Sequence, residues 1–162
     1  MSPAPYRFLI LCTGNSARSI IGEYLLNAKA KGRFEAFSAG ASPTGSVNPL
    51  ALWVLKDRYG IDASGARSKS WEEFKDVKFD FVVTVCDRAR EACPVWPGQP
   101  VIAHWGSPDP AALEGPEDQK RWLFVQVASQ IARRIDLLCA LPDGELRKLQ
   151  LDRIARQTPF QA

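Results

Sequence analysis

Residues 8–26 read FLILCTGNSARSIIGEYLL, and this stretch decides the fold. The opening run is unbroken apolar sequence, the pattern of a strand buried on both faces. From residue 19 onward the apolar residues Ile20, Tyr24 and Leu25 recur at helical spacing, with Gly32 as a stop. Strand and helix are joined by a short polar loop that begins at Cys12 and ends at Arg18. Such a loop turns several backbone N–H groups inward and adds the positive end of the helix dipole, which together make an anion cradle. Gly14 lets the backbone fold tightly, and Asn15 tolerates the left-handed region and can brace the loop through its amide. Thr13, Ser16 and Ala17 complete the loop with their amides. Arg18 presents a fork for two oxygens of a tetrahedral anion, and Ser19, in the first helical turn, is placed to donate a hydrogen bond to Cys12. That field is expected to lower the Cys12 pKa and hold a thiolate beside the bound anion, where it is a nucleophile.

Outward from this stretch, strands and helices alternate. FEAFSAG (34–40) reads as a second strand, LALWVLKDRYG (50–60) as a helix closed by Gly60, and KFDFVVTVC (78–86) as a second β-branched buried strand. SWEEFKD (70–76) reads as a short helix with Ser70 and Glu73 forming a capping box. PVIAHWG (100–106) is a shorter strand, and residues 117–141 have the length and period of one long amphipathic helix. This alternation implies right-handed crossovers and an α/β three-layer sandwich around a central parallel sheet of about four strands. Ligands in such sheets bind at the carboxyl ends of the strands, where Cys12, Cys86 and the loop after His104 all fall. Residues 1–141 form one domain in this reading. Residues 142–162 form a C-terminal extension in which ELRKLQLDRIAR has room for another helical turn or two, while Pro159 and the polar end argue for fraying.

At 162 residues, with 46% hydrophobic and 24% charged residues, the chain has the composition of one globular domain. A net charge of +3 gives no concentrated basic face for nucleic acid. The arginines at 133–134 and the basic residues near the end read as solvated helix faces. No apolar stretch approaches the roughly 18 residues of a membrane span, and the first residues lack the charged start of a signal peptide. A cytoplasmic, monomeric protein is the expectation. In a reducing compartment the four cysteines, at 12, 86, 93 and 139, read as free, catalytic or metal-binding thiols rather than structural disulfides. With no C-x-x-C pair and a single histidine, no metal site is expected. His104 reads as structural and Cys139 as packing.

CTGNSARS (12–19) resembles the phosphate-binding loop of the low-molecular-weight tyrosine phosphatase superfamily, which includes arsenate reductases of the same fold. The resemblance runs over about residues 6–140. It implies that Cys12 is the nucleophile and that Arg18 and the loop amides bind the oxyanion. It also implies that Asp109, in the Asp-Pro of HWGSPDPAA, is the general acid that protonates the departing oxygen. The phosphatases place aromatic residues just after this Asp-Pro, whereas this chain has Ala111 and Ala112, which counts against a phosphotyrosine substrate. VTVCDRAREACP (83–94) is similar to the cysteine pair of the thioredoxin-coupled arsenate reductases. By that resemblance Cys86 attacks Cys12 after the arsenic adduct forms, Cys93 then attacks Cys86, and an external thiol reductant closes the cycle. Thioredoxin and a glutathione–glutaredoxin system both remain open as that reductant, and no bound cofactor is implied. Seven helical residues rise about 10 Å, too far for a disulfide, so segment 86–93 is expected to bend or unwind as a polar surface loop. Some of those reductases bind potassium through Asn, Glu, Ser and Asp side chains. Asn15, Glu23 and Ser38 match, while the aspartate position falls on Lys69, whose ammonium is expected to replace the ion. Two alternatives stand beside arsenate reduction. One is a phosphatase acting on phosphotyrosine or small phosphomonoesters; the other is a non-catalytic oxyanion-binding or redox-sensing module.

Overall fold

The structure is a computed structural model that describes residues 3–161. Four parallel strands, β1 (Tyr6–Cys12), β2 (Phe34–Gly40), β3 (Phe81–Thr84) and β4 (Val101–His104), form one sheet in the order β2-β1-β3-β4. The helices are α1 (Arg18–Lys29), α2 (Pro49–Tyr59), α3 (Asp87–Ala92), α4 (Glu117–Ala140) and α5 (Lys148–Gln157). The three-layer α/β architecture expected from the alternation is present.

β1 is central, so its side chains feed two cores. Phe8, Ile10 and Cys12 face one side, where α1, α2, α4 and α5 supply Ile21, Leu25, Val54, Leu55, Phe124, Ile131, Leu138, Leu151 and Ile154. Leu9 and Leu11 face the other side against Ala39, Phe79, Val82, Ala89 and Trp96. The second cover is thinner, consisting of a 3-10 turn (Trp71–Phe74), the six residues of α3 and connecting loops. Phe8, Leu9 and Leu11 have no exposed surface. Burying each such side chain contributes about 1.5–3 kcal/mol, so strand β1 is held rigidly and delivers Cys12 to a fixed point.

Several boundaries differ from the sequence expectations for local physical reasons. Helix α2 starts at Pro49 because the Asn48 side chain caps it, accepting from the Leu50 amide at 2.9 Å, and it ends at Gly60 with φ 67°. Ser70 caps the next turn through the Glu72 amide, but the expected capping box does not form. Glu73 is drawn instead into a two-pronged ion pair with Arg67. Residues 87–92, expected as an unwound loop, are helical, with the Cys86 sulfur taking the N-cap role through the Ala89 amide at 3.4 Å. The tail is docked rather than frayed where α5 runs. Leu151, Ile154 and Thr158 are buried, and the Trp105 indole donates to the Leu151 carbonyl at 3.0 Å. Arg134, expected on a solvated face, is 3% exposed.

Candidate active site

The loop between β1 and α1 is an inward-facing ring because its carbonyl groups are occupied from outside. Ser42 donates to the Thr13 carbonyl at 2.9 Å, Thr44 to that of Gly14 at 3.0 Å, and Asn48 to that of Ser16 at 2.9 Å, all through backbone amides. The Ser68 hydroxyl adds a second bond to the Gly14 carbonyl at 3.0 Å. With these carbonyls bonded from outside, residues 12–14 and 16–18 face the cavity, and the start of α1 brings its free N–H groups to the same place. Asn15 sits at φ 48°, the left-handed turn its residue type tolerates. The loop lies so close to the end of β2 that a Cβ on Gly40 would stand 2.5 Å from the Thr13 carbonyl oxygen.

Cys12 forms the floor. Its sulfur accepts the Asn15 amide at 3.1 Å and lies 2.9 Å from the Ser19 hydroxyl. That hydroxyl also accepts from the Asn15 side chain at 2.8 Å, and toward a thiolate its proton is the donor. Burial nevertheless pushes the Cys12 thiol above its ordinary value, against the opposing pull of Ser19, the Asn15 amide and Arg18. The expectation of a lowered pKa is thus corrected. Desolvation outweighs the hydrogen bonds and the Arg18 charge that favour the thiolate.

Behind the loop, Lys69 occupies the place the sequence assigned to a cation. Its ammonium lies 3.6 Å from a Glu23 carboxylate oxygen, 3.5 Å from Asn15 Oδ1, 3.3 Å from Ser38 Oγ and 3.2 Å from the Arg67 carbonyl. The Ser38 hydroxyl donates to Glu23 and accepts from Asn15 at 3.0 Å. Burial pulls Lys69 below its ordinary value, and Glu23 opposes that shift. Among the described residues no group of three metal-ligating side chains converges.

Above Cys12 opens a cavity of about 440 Å³ lined by residues 12–14 and 16–18, with Ser42, Thr44, Arg88, Asp109, Ala111 and Ala112. Arg18 is anchored by the Ser107 carbonyl at 3.0 Å and lies 3.7 Å from Asp109 Oδ2. The other Asp109 oxygen accepts the Ala111 amide at 3.0 Å, so this carboxylate both caps the Pro110–Ala112 turn and faces the cavity.

Cys86 leaves the strand beside Cys12. β1 and β3 pair from Phe8↔Phe81 to Leu11↔Thr84, and Val85 continues the ladder to the Leu11 carbonyl. Cys86 Sγ rests 3.2 Å from Thr13 Oγ1. Cys93 stands at the far end of α3, its thiol pushed up by burial and opposed by the Trp96 indole. His104 is tied to Thr84 at 2.8 Å and to Asp87 at 3.2 Å, and burial lowers its pKa, which suits the structural role expected for it. Cys139 packs at the edge of the larger core. The structure therefore gathers residues 12–14 and 16–18 and Asp109 around one cavity, with Asn15 and Ser19 buried behind it, sets Cys86 beside it, and keeps Cys93 across α3.

Residues 7–151 match the family described as low molecular weight phosphotyrosine protein phosphatase. The chain belongs to that family. Arsenate reductase from Halalkalibacterium halodurans is a relative 38% identical over 125 residues, spanning 77% of this chain and 88% of that protein. Among solved structures, an arsenate reductase in the phosphate binding state superposes with a TM-score of 0.68 at 27% identity, covering 83% of this chain and 97% of that one. A thioredoxin-dependent arsenate reductase from Corynebacterium glutamicum gives 0.61 at 27% identity, covering 85% of this chain and 62% of that one.

Several contributors escaped the sequence reading. Gly40 read only as the end of the second strand and Ser107 only as part of the loop after His104, while Ser42, Thr44 and Arg88 at the cavity wall were not singled out for the site. Arg134 carried a usable signal. It falls on the stripe Phe124, Val127, Ile131, Ile135 and Leu138 that α4 buries.

Proposed function

We propose that this protein reduces arsenate to arsenite, with Cys12 as nucleophile, Arg18 and the amides of Thr13 to Ser19 as the oxyanion cradle, and Asp109 as proton donor. In this reading Cys86 and Cys93 carry the resulting disulfide outward to an external thiol reductant. The observation that carries it is the order of the thiols: Cys12 under the cavity, Cys86 at the end of the adjacent strand against Thr13, and Cys93 across α3. One thiol cannot supply the two electrons that arsenic(V) needs.

The steps balance. The buried thiol gives its proton to an oxygen of the entering arsenate dianion, and the sulfur bonds arsenic as water leaves with a proton from Asp109. Cys86 thiolate then attacks the Cys12 sulfur. The S–As electron pair stays on arsenic, which departs as arsenite, and a Cys12–Cys86 disulfide remains. Cys93 displaces Cys12 from Cys86, and an external dithiol reduces Cys86–Cys93. The thioredoxin-dependent relative supports thioredoxin as that dithiol, and the free thiols suit a reducing cytoplasm. Ala111 and Ala112 at the cavity wall offer no aromatic surface to a phosphotyrosine ring.

The test is arsenate-dependent NADPH consumption with thioredoxin and thioredoxin reductase, and in parallel with glutathione, glutaredoxin and glutathione reductase. Turnover in the first system, abolished by Cys12→Ser, Cys86→Ser and Cys93→Ser, is the expected result. Robust aryl phosphate hydrolysis without arsenate turnover would replace this reading with a phosphatase. Turnover only with glutaredoxin would replace the reductant.

A further inference from the structure

The network around Arg134 links the C-terminal segment to the active site. Arg134, Gln130 and Thr158 are all buried, at 3%, 1% and 4% exposure. Burying a guanidinium is costly unless its donors are used. Here they go to neutral oxygens on two segments: Thr158 Oγ1 at 2.9 Å and its carbonyl at 3.4 Å, and the Gly106 carbonyl at 3.0 Å with Ser107 Oγ at 3.3 Å. Gln130 makes the same bridge in parallel, donating to the Thr158 carbonyl at 2.9 Å while accepting from the Ser107 hydroxyl at 2.8 Å. Thr158 is itself fixed, its hydroxyl donating to the Ile154 carbonyl of α5 at 2.7 Å.

What is held is the segment that the site depends on. The Ser107 carbonyl accepts from Arg18 at 3.0 Å, and Asp109 follows two residues later. We propose that the C-terminal segment is a positioning element of the active site: Thr158, through Arg134 and Gln130, fixes Ser107, and Ser107 sets both the Arg18 fork and the loop that carries Asp109. The proposal rests on the reading of Arg18 as the oxyanion clamp. Thr158 lies beyond the 7–151 range matched by the family, so the chain completes its site with residues outside that range. Misplacing a binding group by about 1 Å can cost on the order of a hundredfold in rate, so a network this close to the clamp has leverage over catalysis.

The test uses the full-length chain and two readouts: kcat and KM for arsenate, and the dissociation constant for orthophosphate by titration calorimetry. Thr158→Val removes the hydroxyl but keeps the shape, Thr158→Ser restores it, and Arg134→Gln breaks the hub. Phe34→Leu, in the core at the amino end of β2, is a control that lowers the melting temperature far from the site. Thr158→Val is expected to weaken orthophosphate and lower kcat by about three- to tenfold, Arg134→Gln by about tenfold or more. Thr158→Ser should recover the parent values, and Phe34→Leu should lose stability without changing either constant. Should Arg134→Gln not fold, the Thr158 pair still decides. Thr158→Val binding orthophosphate and turning over like the parent overturns the proposal, as does a Phe34→Leu loss matching that of Thr158→Val. If the parent binds orthophosphate but does not reduce arsenate, the functional reading fails while the orthophosphate arm still judges this one. A parent that binds neither anion overturns both.

Discussion

Forming a Cys86–Cys93 disulfide must dismantle α3. The two cysteines flank a helix of six residues, Asp87–Ala92, and seven residues of helix rise about 10 Å. A disulfide requires its Cα atoms to lie roughly 4.4–6.8 Å apart, so the oxidised relay and the helix exclude each other. Any change that weakens the helix alone should therefore favour the disulfide. Ala92 is exposed in the last turn, and replacing alanine by glycine in a helix costs up to about 1 kcal/mol. That cost falls on the reduced state only, so Ala92→Gly should favour the Cys86–Cys93 disulfide up to about fivefold, lowering its reduction potential by about 20 mV. The measurement is thiol counting in dithiol–disulfide redox buffers, in a Cys12→Ser background that isolates the pair. Hydrogen exchange at the Ala89 and Arg90 amides would report the helix. An oxidised protein that keeps those amides protected, or a potential that rises with Ala92→Gly, would refute the reasoning.

Ser19→Ala removes the hydroxyl that contacts the Cys12 sulfur and favours its thiolate. The thiol, already raised by burial, rises further, so less thiolate exists at any given pH and iodoacetamide alkylation at pH 7 should slow by about tenfold. An unchanged or faster rate contradicts the assignment. Asp109→Asn should lower kcat for arsenate by about 10²–10⁴-fold. Orthophosphate should bind as tightly or more tightly, because a carboxylate 3.7 Å from Arg18 no longer competes for it; weaker phosphate binding would assign Asp109 a different role. Lys69→Met strands Glu23, whose side chain is 18% exposed. Chemical denaturation should show a loss of about 3–5 kcal/mol, and potassium should not affect the parent; a parent stabilised by potassium over sodium would contradict an internal ammonium. Gly40→Ala sets a Cβ against the Thr13 carbonyl oxygen, so calorimetry should find orthophosphate affinity lost in a folded protein, and normal affinity would show that the loop can yield.

The parts of the site that were legible in sequence are those set by local pattern. An apolar strand run, a glycine-asparagine loop and a helical period place Cys12, Asn15 and Arg18 with no knowledge of the rest of the chain. Asn15 at φ 48° and the Ser19–Cys12 contact follow from that stretch alone. The rest depends on long-range partners that composition does not carry. The direction of the Cys12 pKa shift turned on how completely the larger core buries it, and Gly40 mattered only because β2 lies beside the loop. Residues 87–92 are polar enough for a loop, yet a sulfur cap and the buried Ala89 hold them helical. The tail's role was invisible for the same reason: Thr158 reaches Ser107 only through the buried face of α4. Arg134 was the exception, since its place on the apolar stripe could have been read.

The relay itself is tested most directly by trapping it half-way. Cys93→Ser should complete one turnover and stop, and acid quenching followed by peptide mass mapping should find a Cys12–Cys86 disulfide with one arsenite released per chain. Arsenite released while Cys86 stays reduced, or no arsenite at all from a folded variant that binds phosphate, would contradict the account.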